Sequence, residues 1–157
     1  MRLFFITICL VLSISANAQK IKDIANRTAI SIGYDYQGRN SLTAGIEYNL
    51  PIDSYSWHGY NLGVAMRYFK GKDGNQYFVP EVKLTYRKNG LLFGFQSSTK
   101  NFSPIAGINF LNFLHLYSGY SFPFDKTQTN LQGVVFGVRI LVSPFEGKFY
   151  DKLEIGF

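Results

Sequence analysis

The sequence predicts an all-β protein, a closed antiparallel up-and-down barrel of about eight strands. Three observations carry that expectation. Apolar residues recur at every second position through most of the chain, the periodicity of strands whose two faces meet different surroundings. Short turns bearing Gly, Asn or Asp separate the alternating runs, which makes successive strands antiparallel neighbours. The composition, with 15 Phe and 11 Tyr against 2 Met and 1 Trp, favours strands over helices. A length of 157 residues suits one domain, and 46% apolar with 17% charged residues argues against disorder.

In chain order, the first segment stands outside the barrel. Met1-Arg2, the apolar run Leu3–Leu12 and the ending Ala16-Asn17-Ala18 describe a secretory signal peptide cleaved after Ala18, leaving 19–157 as the barrel domain. The run is too short for a membrane-spanning helix, which needs about 20 apolar residues. Its Cys9 is the only cysteine of the chain. Disulfides, thiol nucleophiles and cysteine-based metal sites are therefore excluded from 19–157. Loss of Arg2, with no acid, lowers the charge from +6 to +5.

The strands follow. Ile30, Ile32, Tyr34 and Tyr36 alternate with Ala29, Ser31, Gly33 and Asp35, and Gln37-Gly38-Arg39-Asn40 is a tight turn. Leu42, Ala44, Ile46, Tyr48 and Leu50 oppose Ser41, Thr43, Gly45, Glu47 and Asn49, before an interruption at Pro51–Ser54. His58 through Tyr68 sets Tyr60, Leu62, Val64 and Met66 against Gly59, Asn61, Gly63, Ala65 and Arg67. After the polar loop Lys70–Asn75, Phe78, Pro80, Val82, Leu84 and Tyr86 oppose Glu81, Lys83, Thr85 and Arg87. Asn89-Gly90 is the strongest short hairpin signal in the chain. Leu91, Phe93 and Phe95 then face away from Leu92, Gly94 and Gln96, up to an interruption at Lys100–Ser103.

Residues 104–122 read as one long strand, with two shorter strands turning near Leu111-Asn112 as the alternative. A polar loop at 125–130 leads to Val134, Phe136, Val138 and Ile140 against Gly133, Val135, Gly137 and Arg139. A final run sets Phe149, Leu153, Ile155 and Phe157 against Tyr150, Lys152, Glu154 and Gly156, with Asp151 a misfit on the apolar side. Counting 104–122 as one strand, the eighth strand ends at Phe157.

The two faces differ in a way that assigns their surroundings. A soluble ligand-binding barrel of the lipocalin kind turns apolar residues inward, and a membrane barrel turns them outward. The polar face here combines glycines with Asp35, Glu47, Arg67, Glu81, Lys83, Arg87, Arg139, Lys152 and Glu154. Glycines weaken a water-facing strand by about 0.5–1 kcal/mol each, whereas a narrow lumen needs small neighbours around its long charged side chains. Near-balanced acids and bases suit a buried, salt-bridged network that plugs the bore against diffusion. The opposite face carries large aliphatics, with tyrosines gathered toward strand ends like the aromatic belt of a lipid-facing wall. These features predict a transmembrane barrel.

Chemistry is sparse. His58 and His115 are the only histidines. His58, beside Trp57, reads as a residue at headgroup level, and His115 falls on the lumenal face. His115 and Ser118 are three positions apart, which puts them on opposite faces and denies a serine its base. No phosphate loop, dinucleotide fingerprint or HExxH motif occurs. No catalytic residue, cofactor or metal is expected. The bases are scattered among acids without a basic stripe, which argues against nucleic acid. Lys70, Lys72, Lys100 and Lys126 sit in loops or at strand ends, either simply solvated or attracting anionic lipopolysaccharide.

The signal peptide, the eight alternating segments, the Tyr-rich borders and terminal Phe157 together resemble the small outer-membrane β-barrel proteins of Gram-negative bacteria, the OmpA/OmpX type. The Tyr-, Phe-, Asn- and Lys-rich style is similar to that of Bacteroidota proteins. The resemblance implies that Leu153, Ile155 and Phe157 form a C-terminal signal for the barrel-insertion machinery, a pattern from which Asp151 departs. It implies an outer-membrane location, contact with outer-membrane lipid and lipopolysaccharide, and a non-enzymatic role, structural or as an accessory subunit of a larger outer-membrane complex. Two alternatives stand beside it: a lipid A-modifying enzyme, and a soluble secreted ligand-binding barrel.

Overall fold

The computed structural model describes residues 23–52, 58–125 and 131–143. Eight strands form a closed barrel in which each pairs antiparallel with its sequence neighbour: β1 (Thr28–Gln37), β2 (Asn40–Pro51), β3 (Gly59–Lys70), β4 (Gln76–Lys88), β5 (Leu91–Ser98), β6 (Asn101–Phe110), β7 (Leu114–Pro123) and β8 (Gly133–Val142). The seam closes between β8 and β1, where Ile30 pairs with Val142 and Gln37 with Val135.

The strands lean strongly. Pairing leads from Gln37 to Val135, Gly119, Ile105, Gly94, Thr85, Asn61 and Asn49 in turn. The Asn49 amide then donates to the Arg27 carbonyl at 2.8 Å, so one circuit returns to the first strand ten residues before its start, from Gln37 to Arg27. Eight strands with that stagger enclose a bore just wide enough for side chains.

Three expectations about strand limits are corrected. Residues 104–122 are not one strand, since β6 and β7 turn at Leu111 and Asn112, both with positive φ (48° and 55°). The Phe113 amide donates to the Phe110 carbonyl at 3.3 Å to close that turn. Because β8 then pairs with β1, the closing strand is Gly133–Val142 and not the run ending at Phe157, which lies outside the described residues. The interruption expected at Lys100–Ser103 is also shorter than it looked. The Ser98 hydroxyl oxygen accepts from the Lys100 and Asn101 amides (3.0 and 3.2 Å), and β6 begins at once with Asn101.

One end of the barrel carries the connections at Gly38-Arg39, Gly71–Asn75 and Thr99-Lys100; the other carries Asn89-Gly90 and Leu111–Phe113. They are called the Gly38 end and the Gly90 end below. Asn89 and Gly90 both have positive φ (51° and 80°), the conformation their identities invite at a two-residue hairpin turn.

Burial alternates with position on every strand. The inward side is polar: Ser31, Asp35, Thr43, Glu47, Asn61, Arg67, Glu81, Lys83, Arg87, Gln96, His115 and Arg139 are all buried. The outward side is apolar: Ile32, Leu42, Val64, Val82, Phe93 and Phe136 are all exposed, between 46% and 58%. Rings gather near both rims. Tyr68 and Phe78 lie 5.1 Å apart toward the Gly38 end, and Tyr60 and Tyr86 lie 5.2 Å apart toward the Gly90 end.

Candidate functional site: a packed polar lumen

The inward side chains meet in tiers. Nearest the Gly38 end, Asn101 Nδ2 donates to Gln37 Oε1, Ser103 Oγ and Ser121 Oγ (3.0, 3.0 and 2.8 Å), and the Ser121 hydroxyl donates to the Leu131 carbonyl at 3.0 Å. Phe69, Val79 and Leu131 pack together beside this group with Tyr77, whose ring stacks on Phe69 at 5.3 Å. The lumen is thus covered at that end by an apolar cluster and a neutral hydrogen-bonded one.

Below lies the main ionic tier. Arg67 reaches Glu81 through Nε (2.8 Å) and Nη2, and the same Nη2 is 3.0 Å from Asp35 Oδ2. Its Nη1 donates to Ser41 Oγ at 2.6 Å. Lys83 Nζ is 3.3 Å from both Glu81 Oε1 and Thr43 Oγ1. The Tyr117 hydroxyl donates to Asp35 Oδ1 from across the bore. One guanidinium therefore bridges two carboxylates, and each carboxylate has a second partner, the arrangement that a buried charge requires.

The next tier is built on Glu47. Its Oε1 accepts from Arg139 Nη1 at 3.0 Å and from the Ser31 hydroxyl at 2.9 Å, and Asn61 Nδ2 approaches Oε2 at 3.4 Å. The Arg139 guanidinium carbon lies 5.0 Å from the centre of the Tyr117 ring, linking the two ionic tiers through one aromatic face. At the Gly90 end, Arg87 Nη1 and Asn109 Nδ2 both donate to Asn112 Oδ1, at 2.8 and 2.7 Å. Asn112 belongs to the turn between β6 and β7, so that turn reaches back to cover the bore.

Space for these groups comes from glycine. A Cβ on Gly63 would sit 2.7 Å from Glu47 Cγ, and one on Gly137 would overlap Asp35 Oδ1 and the Tyr117 ring. Gly133 differs, because nothing lies within 4 Å of its would-be Cβ and its φ is +94°, so it serves backbone conformation at the start of β8.

Of the residues singled out from sequence, the structure places Asp35, Glu47, Arg67, Glu81, Lys83, Arg87 and Arg139 together in the lumen. Lys152, Glu154, Leu153, Ile155 and Phe157 lie outside the described residues, as does Lys126. His115 is buried in the lumen while Ser118 stands exposed on the outer wall. His58 meets the Tyr86 hydroxyl at 2.9 Å near the Gly90 rim. Sequence reasoning missed the neutral partners Ser31, Ser41, Thr43, Asn61, Asn101, Asn112 and Tyr117. Their parity put most of them on the polar face, but only charge had drawn attention. Among the described residues, no group of three or more His, Cys, Asp or Glu side chains is placed to hold a metal ion.

Outside the lumen, a polar cluster holds the β3–β4 loop. Asp73 accepts from the Tyr77 hydroxyl (2.5 Å), from Asn75 Nδ2 (2.8 Å) and from the Asn75 amide (3.1 Å). These bonds, the one from Tyr77 foremost, hold the Asp73 carboxyl below the usual carboxylate range.

No protein-family model, curated protein or solved structure significantly matches this chain.

Proposed function

We propose that this protein is a non-enzymatic integral outer-membrane β-barrel of a Gram-negative envelope, serving the envelope structurally or as an accessory subunit of a larger complex. One observation carries the reading: polarity is inverted across the wall. Arg67, Lys83, Arg87 and Arg139 are fully buried or nearly so, while Ile32, Leu42, Val64 and Phe136 are more than half exposed. A water-soluble barrel gains stability by hiding its aliphatic side, and this wall hides its ionic side instead. Acyl chains are the surroundings in which such an exterior is favourable and a closed ladder is needed, since lipid offers no partner for an unpaired backbone edge. Strands of 8–13 residues tilted by about 45° cross a hydrocarbon layer of about 25 Å. The ring clusters at both rims suit the two interfaces.

The lumen supports the non-enzymatic part. Asp35, Glu47, Arg67, Glu81, Lys83 and Arg139 pair with one another inside the bore, Arg87 donates to Asn112, and Ser118 on the outer wall is separated from His115 in the lumen. The expected partners are outer-membrane lipid and lipopolysaccharide, the insertion machinery acting on the C-terminal residues during assembly, and no nucleic acid.

Membrane fractionation tests the reading. The protein is expected in the outer-membrane pellet, resistant to alkaline carbonate, and shifted in electrophoretic migration by boiling. Recovery in an aqueous fraction without detergent overturns it and favours the soluble ligand-binding barrel. Incubation with lipid A is expected to leave acylation unchanged by mass spectrometry, and a deacylated product would make the protein an enzyme. Affinity purification from mild detergent separates a lone barrel from a subunit.

A further inference from the structure

Pairing inside the lumen is least complete toward the Gly90 end. Two rows of polar side chains line the bore there. Asn49, Asn61 and Thr85 are register partners on β2, β3 and β4. Asn109, His115 and Arg139 are register partners on β6, β7 and β8. Glu47 ties the rows together, accepting from Arg139 of one and approached by Asn61 Nδ2 of the other. All six row residues are at most 3% exposed.

Nine side-chain atoms of these rows have no protein partner within hydrogen-bond distance. They are both amide atoms of Asn49, Asn61 Oδ1, Thr85 Oγ1, Asn109 Oδ1, both ring nitrogens of His115, and Nε and Nη2 of Arg139. Polar atoms cut off from bulk solvent are costly unless something satisfies them. Their chemistry says what can. Asn61 and Asn109 direct their amide nitrogens at Glu47 and Asn112, which leaves the two oxygens as fixed acceptors. Arg139 has only donors left, and an imidazole in its neutral form offers one donor and one acceptor. An anion between the rows would suit Arg139 but be repelled by the amide oxygens, and a cation would meet the reverse. Water donates and accepts, so it serves both. Donors and acceptors that lie out of each other's direct reach are also at the separation that a bridging water spans.

We propose that the lumen between these rows holds a cluster of ordered waters that bridges one row to the other. At about three hydrogen bonds per buried water, nine atoms call for about three waters. The two ends of the plug then differ in kind. Side chains close the Gly38 end on their own, where Asn101 Nδ2 alone meets three acceptors, and solvent completes the network below Glu47. The inference concerns the inside of the barrel and goes beyond the proposed function, since it does not depend on what surrounds the wall.

The test is a high-resolution crystal structure of the full-length protein grown in sodium bromide, with data collected at the bromine edge. About three peaks are expected between the rows, each within hydrogen-bond distance of side chains and none with anomalous signal. An anomalous peak beside Arg139 overturns the proposal in favour of an anion site, and elongated density does so in favour of an organic solute. Rows that close on each other through direct bonds, with no peak between them, overturn it as well. Asn49→Leu combined with Thr85→Val removes three of the nine atoms and should lose at least one peak. Ser103→Ala, in the cluster at the Gly38 end, should lose none. The boiling-dependent gel shift identifies which variants are folded, and loss of no peak in the folded double variant counts against the cluster. In detergent solution, Overhauser contacts between long-resident water and the His115 ring protons are expected, and their absence overturns the proposal without a crystal. Recovery of the protein in an aqueous fraction would overturn the membrane reading and leave this inference standing.

Discussion

The two halves of the barrel wall are built differently on the inside. Strands β1–β4 supply the acids Asp35, Glu47 and Glu81 and the bases Arg67, Lys83 and Arg87. Strands β5–β8 supply Arg139 as their single inward Lys or Arg and no inward acid; beside polar groups such as Gln96, Asn101, Asn109, His115 and Ser121 they present Leu92, Ile105, Tyr117, Val135 and the glycines at 94, 107, 119 and 137. The second half meets the first through Arg139 on Glu47, the Tyr117 hydroxyl on Asp35, Asn101 on Gln37, and Asn112 of the β6–β7 turn on Arg87. A narrow bore has no room for long ionic side chains from every strand. One half therefore carries most of the ions, and the other carries mainly uncharged and small residues with one apolar cluster.

That contrast orders the expected effects of substitution. Arg67→Met should be the most damaging, because it strands Asp35 and Glu81 without their shared cation; a loss of about 3–5 kcal/mol is expected in urea unfolding from lipid vesicles. A loss under about 1 kcal/mol would mean that the ionic half does not depend on its central arginine. Next come Val82→Arg and Phe136→Arg, one on each half but both on the outer wall. Each should cost about 2–4 kcal/mol near the bilayer midplane, and similar costs would confine the difference between halves to the interior. If either is tolerated, that outer face is wet. Gly137→Ala should cost about 1–3 kcal/mol by overpacking against Asp35 and Tyr117; an unchanged unfolding midpoint would show spare room in the small-residue half.

The smallest effect lies outside both halves. Because the folded Asp73 carboxyl is held below its usual range, its hydrogen bonds favour the folded loop above the ordinary carboxylate range. That contribution disappears as pH falls through the lowered value. NMR titration should find Asp73 still ionised where an ordinary aspartate is half protonated, and titration in the ordinary range would show that the loop bonds do not persist.

How legible this was from sequence depended on whether a residue's type and its role coincided. At the turn between β4 and β5 they did, since Asn89-Gly90 accepts positive φ without cost and announces a hairpin. At Leu111-Asn112 the backbone adopts the same handedness, but leucine is not a residue that signals it. The alternation of flanking apolar residues continues through the turn, so the region reads as one strand. The misplaced closing strand followed from that miscount. In the lumen, opposite charges on one parity were enough to gather Asp35, Glu47, Arg67, Glu81, Lys83, Arg87 and Arg139. The order in which they pair was hidden, because it depends on the stagger between strands, which no single strand encodes.

The seam sets the timing of assembly. Seven of the eight strand pairs join consecutive strands linked by short connections, so they can zip up locally and fast. The eighth brings Ile30 to Val142, and nearly the whole described chain must be in place before that contact is made. Until then β1 and β8 are both raw edges that invite pairing with other chains. The vulnerable interval of this protein is therefore its open-ring intermediate, and a chaperone or catalyst that shields those two edges would be what carries it safely to completion.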